Sequence, residues 1–227
     1  MRERRLVLTC EHGGNRVPRS CAKLFRGWQR LLTSNRSWDP GALALARLLA
    51  SRLDAPLVSS TNTRLLVDLN RSPHNPAVFS IVTRDLPRAK RSALLERWHR
   101  PHWEKVREVL ESEPGPVLHV AVHSFTPVLR GKHRNLEIGL LYDPRRAEER
   151  GLALELARRL RRERPDLRVR RNAPYRGASD GLATALRREL PASRYLGLEL
   201  ELNQRTLDRP GAPHAFATLL AGVLAPA

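Results

Sequence analysis

Leu6-Val7-Leu8-Thr9-Cys10-Glu11-His12-Gly13-Gly14-Asn15-Arg16-Val17-Pro18 is the stretch on which the fold turns. Residues 6–9 read as a short buried strand, because the run is apolar and runs directly into a turn signal. The Gly13-Gly14 pair frees the backbone to turn tightly just after His12. A histidine at the carboxyl end of a buried strand, followed by two glycines, sits where open α/β sheets place ligands. Taken alone, His12 is equally compatible with a turn residue that has no role.

A second strand supplies a second histidine. Pro116-Val117-Leu118-His119-Val120-Ala121-Val122-His123-Ser124-Phe125 is a near-continuous apolar run, and His123 precedes another strand-to-loop exit. Two histidines at two strand exits form a metal-ligand pair in outline, since zinc favours imidazole and carboxylate. Residues 195–202 alternate apolar positions with Glu199 and Glu201, which puts both carboxylates on one strand face. Such a face is costly to bury unless it meets cations or a metal. The plainer alternative is an edge strand with its polar face in water.

Arg64-Leu65-Leu66-Val67-Asp68-Leu69-Asn70-Arg71 is another apolar run, closed at both ends by arginine. Residues 65–69 read as a short buried strand between a Ser/Thr/Asn turn and Ser72-Pro73. A strand of that kind does not need Arg64, Asn70 and Arg71 to stay folded. Two guanidiniums and an amide at its ends form a fork suited to a carboxylate. His74 falls in the loop 72–76, beside the fork.

Asp39-Pro40 reads as a helix start, with Asp39 as N-cap and Pro40 as the first helical residue. The helix over 41–53 carries Leu43, Ala46, Leu49 and Ala50 on one face. Further strands are expected at 55–58, 136–142 and 168–171. Helices are expected over 86–110, 146–164 and 214–224, with 180–190 helical or irregular. His99 and His102 are three apart on a helix, a spacing compatible with metal ligation. They flank Pro101 among arginines, which favours a solvated role, while Trp98 and Trp103 read as packing residues. The turn-rich loop 172–177 presents Tyr175.

Composition narrows the function classes. The 227 residues carry 41 Lys+Arg against 23 Asp+Glu, a formal net charge of +18, and only four of the basic residues are lysine. Such an excess can signal nucleic-acid binding. The arginines are spread along the chain, however, and aromatics at 5% are too few for base-stacking platforms, so nucleic acid is not the expected partner. Cys10 and Cys21 form no CxxC pair, which fits a reduced, cytoplasmic chain. The apolar run after the basic residues 1–5 stops at Thr9, too short for a signal-peptide core, and no later stretch approaches a membrane span. No Gly/Ser-rich or Pro-rich linker divides the chain, so one domain over 1–227 is expected.

Six motifs in order resemble the N-formylglutamate amidohydrolase family. They are Glu11-His12-Gly13-Gly14 with Val17-Pro18, Asp39 with Gly41-Ala42, Arg64 with Asp68-Leu69-Asn70-Arg71, and His123-Ser124. Asn172-Ala173-Pro174-Tyr175-Arg176-Gly177 and Glu199-Leu200-Glu201-Leu202-Asn203 complete the set. The likeness runs from the first strand to Asn203 and is specific as a set. That family is similar in architecture to zinc carboxypeptidases and aspartoacylases, the phosphorylase/hydrolase-like group. The resemblance therefore implies a single-domain α/β fold, a mixed and mostly parallel sheet with helices on both faces, and one catalytic zinc (Zn2+).

Carried over residue by residue, the resemblance makes His12 and His123 zinc ligands. The carboxypeptidase pattern has a glutamate three residues after the first histidine, and Asn15 stands there. The third ligand is Asp39, with Glu11 and Asn15 as alternatives. Arg64, Asn70 and Arg71 resemble the carboxylate-binding trio, with Arg64 also catalytic. Glu201 resembles the catalytic glutamate, with Glu199 its neighbour, and Tyr175 closes over substrate. The implied activity is hydrolysis of the amide bond of a small N-acyl acidic amino acid such as N-formyl-L-glutamate. The alternative is a basic, non-catalytic nucleic-acid or anion-binding protein on the same fold.

Overall fold

The computed structural model describes residues 4–225; residues 1–3 of the basic N-terminal stretch, and Pro226 and Ala227, lie outside the described residues. The first half of the chain runs β1 (Arg5–Cys10), α1 (Gln29–Leu32), α2 (Ala42–Leu53), β2 (Leu57–Ser59) and α3 (Arg88–Leu94). A π-helical turn (Leu95–His99), α4 (Arg100–Ser112), β3 (Val117–Phe125), β4 (Val128–Leu129) and β5 (Lys132–His133) follow. Then come β6 (Ile138–Leu141), α5 (Ala147–Glu163), β7 (Val169–Arg171), α6 (Leu182–Glu189), β8 (Tyr195–Asn203), α7 (Gln204–Leu207) and α8 (Ala212–Leu224). Short 3-10 turns occupy Arg19–Phe25 and Pro76–Val78.

Six strands make one sheet in the order β2-β1-β3-β8-β6-β7. Within this sheet the pairs β1–β2, β1–β3, β3–β8 and β6–β7 are parallel and β6–β8 is antiparallel; β4 and β5 form a separate antiparallel pair. This is the single-domain, mostly parallel α/β sheet that the family resemblance implies. The strand exits of β1 and β3 therefore open on the same edge.

Strand periodicity makes the sheet two-faced. Leu8, Val120, Leu198 and Leu140 fall on one face and join α2, α5 and α8 in the main apolar core. On the other face Val7, Val117 and Tyr195 pack with Trp103 and Val106 of α4 and Leu182 and Leu186 of α6. Along that second face the side chains become polar toward the carboxyl ends. His119 hydrogen-bonds Thr9 Oγ1 at 2.8 Å and Tyr195 OH at 2.7 Å, and beyond it come His123, Glu199 and Glu201.

Three expectations are corrected, and one alternative is set aside. Residues 65–69 are not a strand but a buried, turn-rich segment, held by Leu66 N to Thr63 O at 3.1 Å and Asp68 N to Val78 O at 2.8 Å. Its apolar side chains are buried without a sheet. Leu65 and Leu66 pack with Phe25 and Leu94, while Val67 and Leu69 pack with Val78. Apolarity over five residues reports burial, not extension.

Asp39 does not cap α2. The N-cap is Gly41 at φ +80, a left-handed conformation that favours glycine. β8 is not an edge strand, because β3 and β6 flank it. His99 and His102 are not solvated; both are buried, His99 in the π turn against Arg71 O and His102 on α4 beside Glu11. The Gly13-Gly14 pair meets a demand for space rather than for unusual dihedrals, for a Cβ on Gly14 would stand 2.6 Å from Thr61 O.

Candidate active site

His12 lies in the Glu11–His12 turn directly after β1 and is buried. Its Nε2 donates to Asp68 Oδ1 at 2.7 Å, and its Nδ1 faces Asp39 Oδ2 at 3.5 Å without a hydrogen-bond partner. His123 is arranged in the same sense. Its Nδ1 lies 2.9 Å from Asp39 Oδ2, and its Nε2 lies 3.2 Å from Glu11 Oε2. Both imidazoles thus turn Nδ1 toward one carboxylate and Nε2 toward another.

His12, Asp39 and His123 each offer a donor atom within 4.8 Å of the others. Two imidazoles and one carboxylate suit zinc, and three protein ligands leave a further position open. The bare, buried Nδ1 of His12 is the observation that fits a metal here, since a buried polar atom is normally satisfied. Asn15, the alternative from the carboxypeptidase pattern, is exposed and donates to Leu32 O at 3.0 Å. Glu11 faces the far nitrogen of His123 instead of the cluster.

Charge reinforces the geometry. Burial alone would raise Asp39, but His12, His123 and the Arg64 guanidinium hold it well below the usual carboxylate range. Asp68 behaves likewise, with burial outweighed by Arg64 and His12. Burial alone would lower His123, and Asp39 and Glu11 raise it well above an ordinary histidine.

Glu201 stands beside His123 by register. The two are paired positions on neighbouring parallel strands, as are Glu199 and Ala121 one repeat earlier. Glu201 is buried, its Oε2 has no hydrogen-bond partner, and burial pushes it up to about 8 against the pull of His123. Glu199 is also raised by burial.

The arginine fork is divided. Arg64 Nε and Nη2 grip Asp68 Oδ2 at 3.2 and 2.7 Å, and Nη1 reaches Asp39 Oδ1 at 3.5 Å. Asn70 Oδ1 accepts from Leu182 N at 3.0 Å, and its Nδ2 lies 3.3 Å from His123 Nε2. Of the trio, Arg71 is least committed, with one bond from Nη1 to Asp180 O at 2.7 Å. Arg71, Tyr175, Arg176, Glu199 and Glu201 line a polar cavity of about 270 Å³ that also reaches His12 and His123. Tyr175 is 44% exposed, and its OH accepts from Arg134 Nη1 at 2.9 Å. His74 is exposed, in the loop 72–76.

Sequence reasoning missed Asp68, His102 and Arg176 as site residues. Asp68 was visible as the lone charge inside an apolar run. Arg176 follows Tyr175 directly, and its side chain makes no hydrogen bond or ion pair among the described residues. His102 was marked by its helical spacing from His99 but read as solvated, because Pro101 and the neighbouring arginines masked its burial.

The sheet and the polar cleft at its carboxyl edge are those of an α/β enzyme. Residues 4–207 match the family model of N-formylglutamate amidohydrolase, and the chain belongs to that family. A crystal structure of a gene product of Agrobacterium tumefaciens is 32% identical, aligns over 96% of this chain and 88% of its own, and has a TM-score of 0.82. The N-formylglutamate amidohydrolase of Ralstonia eutropha JMP134 is 20% identical over 98% of this chain and 92% of its own, with a TM-score of 0.67, and shares the fold. No curated protein matches the sequence.

Proposed function

We propose that the protein is a zinc-dependent amidohydrolase that removes the acyl group from a small N-acyl acidic amino acid, N-formyl-L-glutamate being the leading candidate. One observation carries the reading. His12 and His123 converge by Nδ1 on Asp39 while Glu201 stands in register beside His123. His12, Asp39 and His123 would hold the metal, which when bound supplies Lewis acidity and lowers the pKa of water toward neutrality.

The chain's own groups do the rest. Glu201 takes the proton of the attacking water and delivers it to the leaving amine nitrogen. Its burial gives it the high proton affinity that such a shuttle needs; the positive charge of His123 pulls it down, while the carboxylates of Asp39 and Glu199 push it up. Asp68 holds His12 in the tautomer that leaves Nδ1 bare. Arg64 neutralises Asp68 and Asp39, so its role is to hold the cluster together.

Arg64, Arg71 and Arg176 line the cavity; Arg64 is paired with Asp68 and Asp39, and a substrate with two carboxylates can engage Arg71 and Arg176. At about 270 Å³ the space lies at the small end of ligand pockets, which run to roughly 300–1,000 Å³, and suits one amino acid rather than a polymer. Tyr175 lines the cavity with its OH held by Arg134, so it would stand over a substrate there. In the test, zinc-loaded protein is incubated with N-formyl, N-acetyl and longer N-acyl derivatives of glutamate, aspartate, leucine and lysine, and released amine is measured. Preferential turnover of the acidic N-formyl compounds supports the reading. Turnover confined to neutral or basic derivatives, or none with zinc bound, overturns it.

A further inference from the structure

The proposed site leaves one buried carboxylate without a task. Glu11 is 1% exposed, and neither of its oxygens has a hydrogen-bond partner. A charge in that position is costly unless positive groups flank it. Two imidazoles do so from different elements, with His123 Nε2 at 3.2 Å from Oε2 and His102 Nε2 at 4.0 Å from Oε1. His102 Nε2 is itself buried and without a hydrogen-bond partner.

Local structure explains how the three meet. Glu11 is two residues beyond Thr9, hence on the sheet face that also carries His123. α4 brings His102 to that face. The helix is docked there by Trp103 Nε1 donating to Leu69 O at 2.7 Å and by His99 Nε2 donating to Arg71 O at 2.7 Å. The π turn Leu95–His99 directly before α4 shifts the register of the helix, and such turns are frequent at functional sites. A second metal centre is not the explanation. Among the described residues, only His12, Asp39 and His123 have mutual donor spacings suited to an ion.

We propose that Glu11 and His102 are positioning residues for His123. Glu11 holds the imidazole electrostatically through Nε2, which Asn70 Nδ2 also approaches at 3.3 Å, so that Nδ1 faces Asp39, and His102 secures Glu11 from the opposite side. The proposal rests on the metal-site reading given above. Partners of this kind fix the tautomer and ring orientation of a ligating histidine, and their loss weakens metal binding by roughly 10–100-fold.

The test measures zinc affinity of the full chain by competition with a chromogenic chelator, with cobalt(II) visible spectra as a second readout. Glu11→Gln should weaken zinc by roughly 10–100-fold. His102→Gln should weaken it less. The double variant should be no worse than Glu11→Gln alone, because His102 acts through Glu11. The cobalt spectrum of Glu11→Gln should keep the coordination number of the wild type. A drop matching that of Asp39→Asn would make Glu11 a ligand and overturn the proposal, as would fully additive losses. Should Glu11→Gln not fold, His102→Gln decides alone, and unchanged affinity there overturns it. Wild-type protein that takes up no zinc overturns the metal-site reading and this proposal together. Tight wild-type binding with both variants unaffected overturns this proposal only.

Discussion

Asp68 accepts a 2.7 Å hydrogen bond from His12 Nε2 while the other Asp68 oxygen is held by Arg64, so one buried carboxylate joins an imidazole to a guanidinium. The consequence is a fixed tautomer for His12, with Nδ1 bare and directed at Asp39. Asp68→Asn keeps the shape but can present an amide donor to Nε2, which would invert the tautomer. Zinc affinity should fall by roughly 10–100-fold in this variant, read by chelator competition. Unchanged affinity would separate Asp68 from the metal site.

Arg64 is committed to Asp68 and Asp39, with its side chain 27% exposed. Arg64→Ala leaves two buried carboxylates short of a countercharge. It should therefore cost about 3 kcal/mol of stability, at the low end for breaking a buried pair because the site is partly open to water. Thermal unfolding of the metal-free protein would show it. A variant with normal Tm and a raised KM would return Arg64 to the substrate-binding role.

Arg71 is the arginine of the fork that lines the cavity with, among the described residues, a single side-chain hydrogen bond, to Asp180 O. Arg71→Lys retains the charge but loses the planar fork that pairs with a carboxylate. KM for an acidic substrate should rise by roughly tenfold or more with a smaller change in kcat, the signature of lost binding. Steady-state kinetics showing the reverse split would place Arg71 in the chemical step.

Glu199 and Glu201 share a face, and only Glu201 pairs in register with His123. Glu201→Gln should leave zinc content intact while kcat falls by roughly 10²-fold or more, the share usual for general acid–base catalysis. Glu199→Gln should act mildly. If the losses come in the opposite order, Glu199 is the base.

His119 predicts a pH dependence of stability that is separate from catalysis. Burial lowers its pKa from 6.5 to about 4. The unfolded chain therefore binds more protons between those values, and the stabilisation is fully present above pH 6.5 and lost as the pH falls toward 4. The full loss is about 3 kcal/mol at about 1.4 kcal/mol per pH unit. In denaturant titrations the wild type should lose stability more steeply than His119→Gln as the pH falls across this window, and parallel curves would refute the assignment.

The sequence by itself determined the strand exits and what they carry. An apolar run ending in Glu11-His12-Gly13-Gly14, a second ending in His123, and the alternation around Glu199 and Glu201 each follow from periodicities of one or two residues. Those periodicities are local properties of the backbone, so they are legible in a string, and the order of the six motifs was enough to mark the family. Tertiary structure decided everything that depends on which groups meet across the chain. Asp39 looked like a helix cap and faces both histidines. The run 65–69 looked like a strand and is a buried loop, because apolarity signals burial without specifying extension. Arg64 and Asn70, read as part of a carboxylate fork, line the cavity and also carry internal bonds to Asp68 and Leu182, which no local pattern announced. His102 looked solvated and lies beside Glu11, more than ninety residues away in the chain. Long-range pairing of charges is set by the packing of helices on the sheet, and no local pattern encodes it.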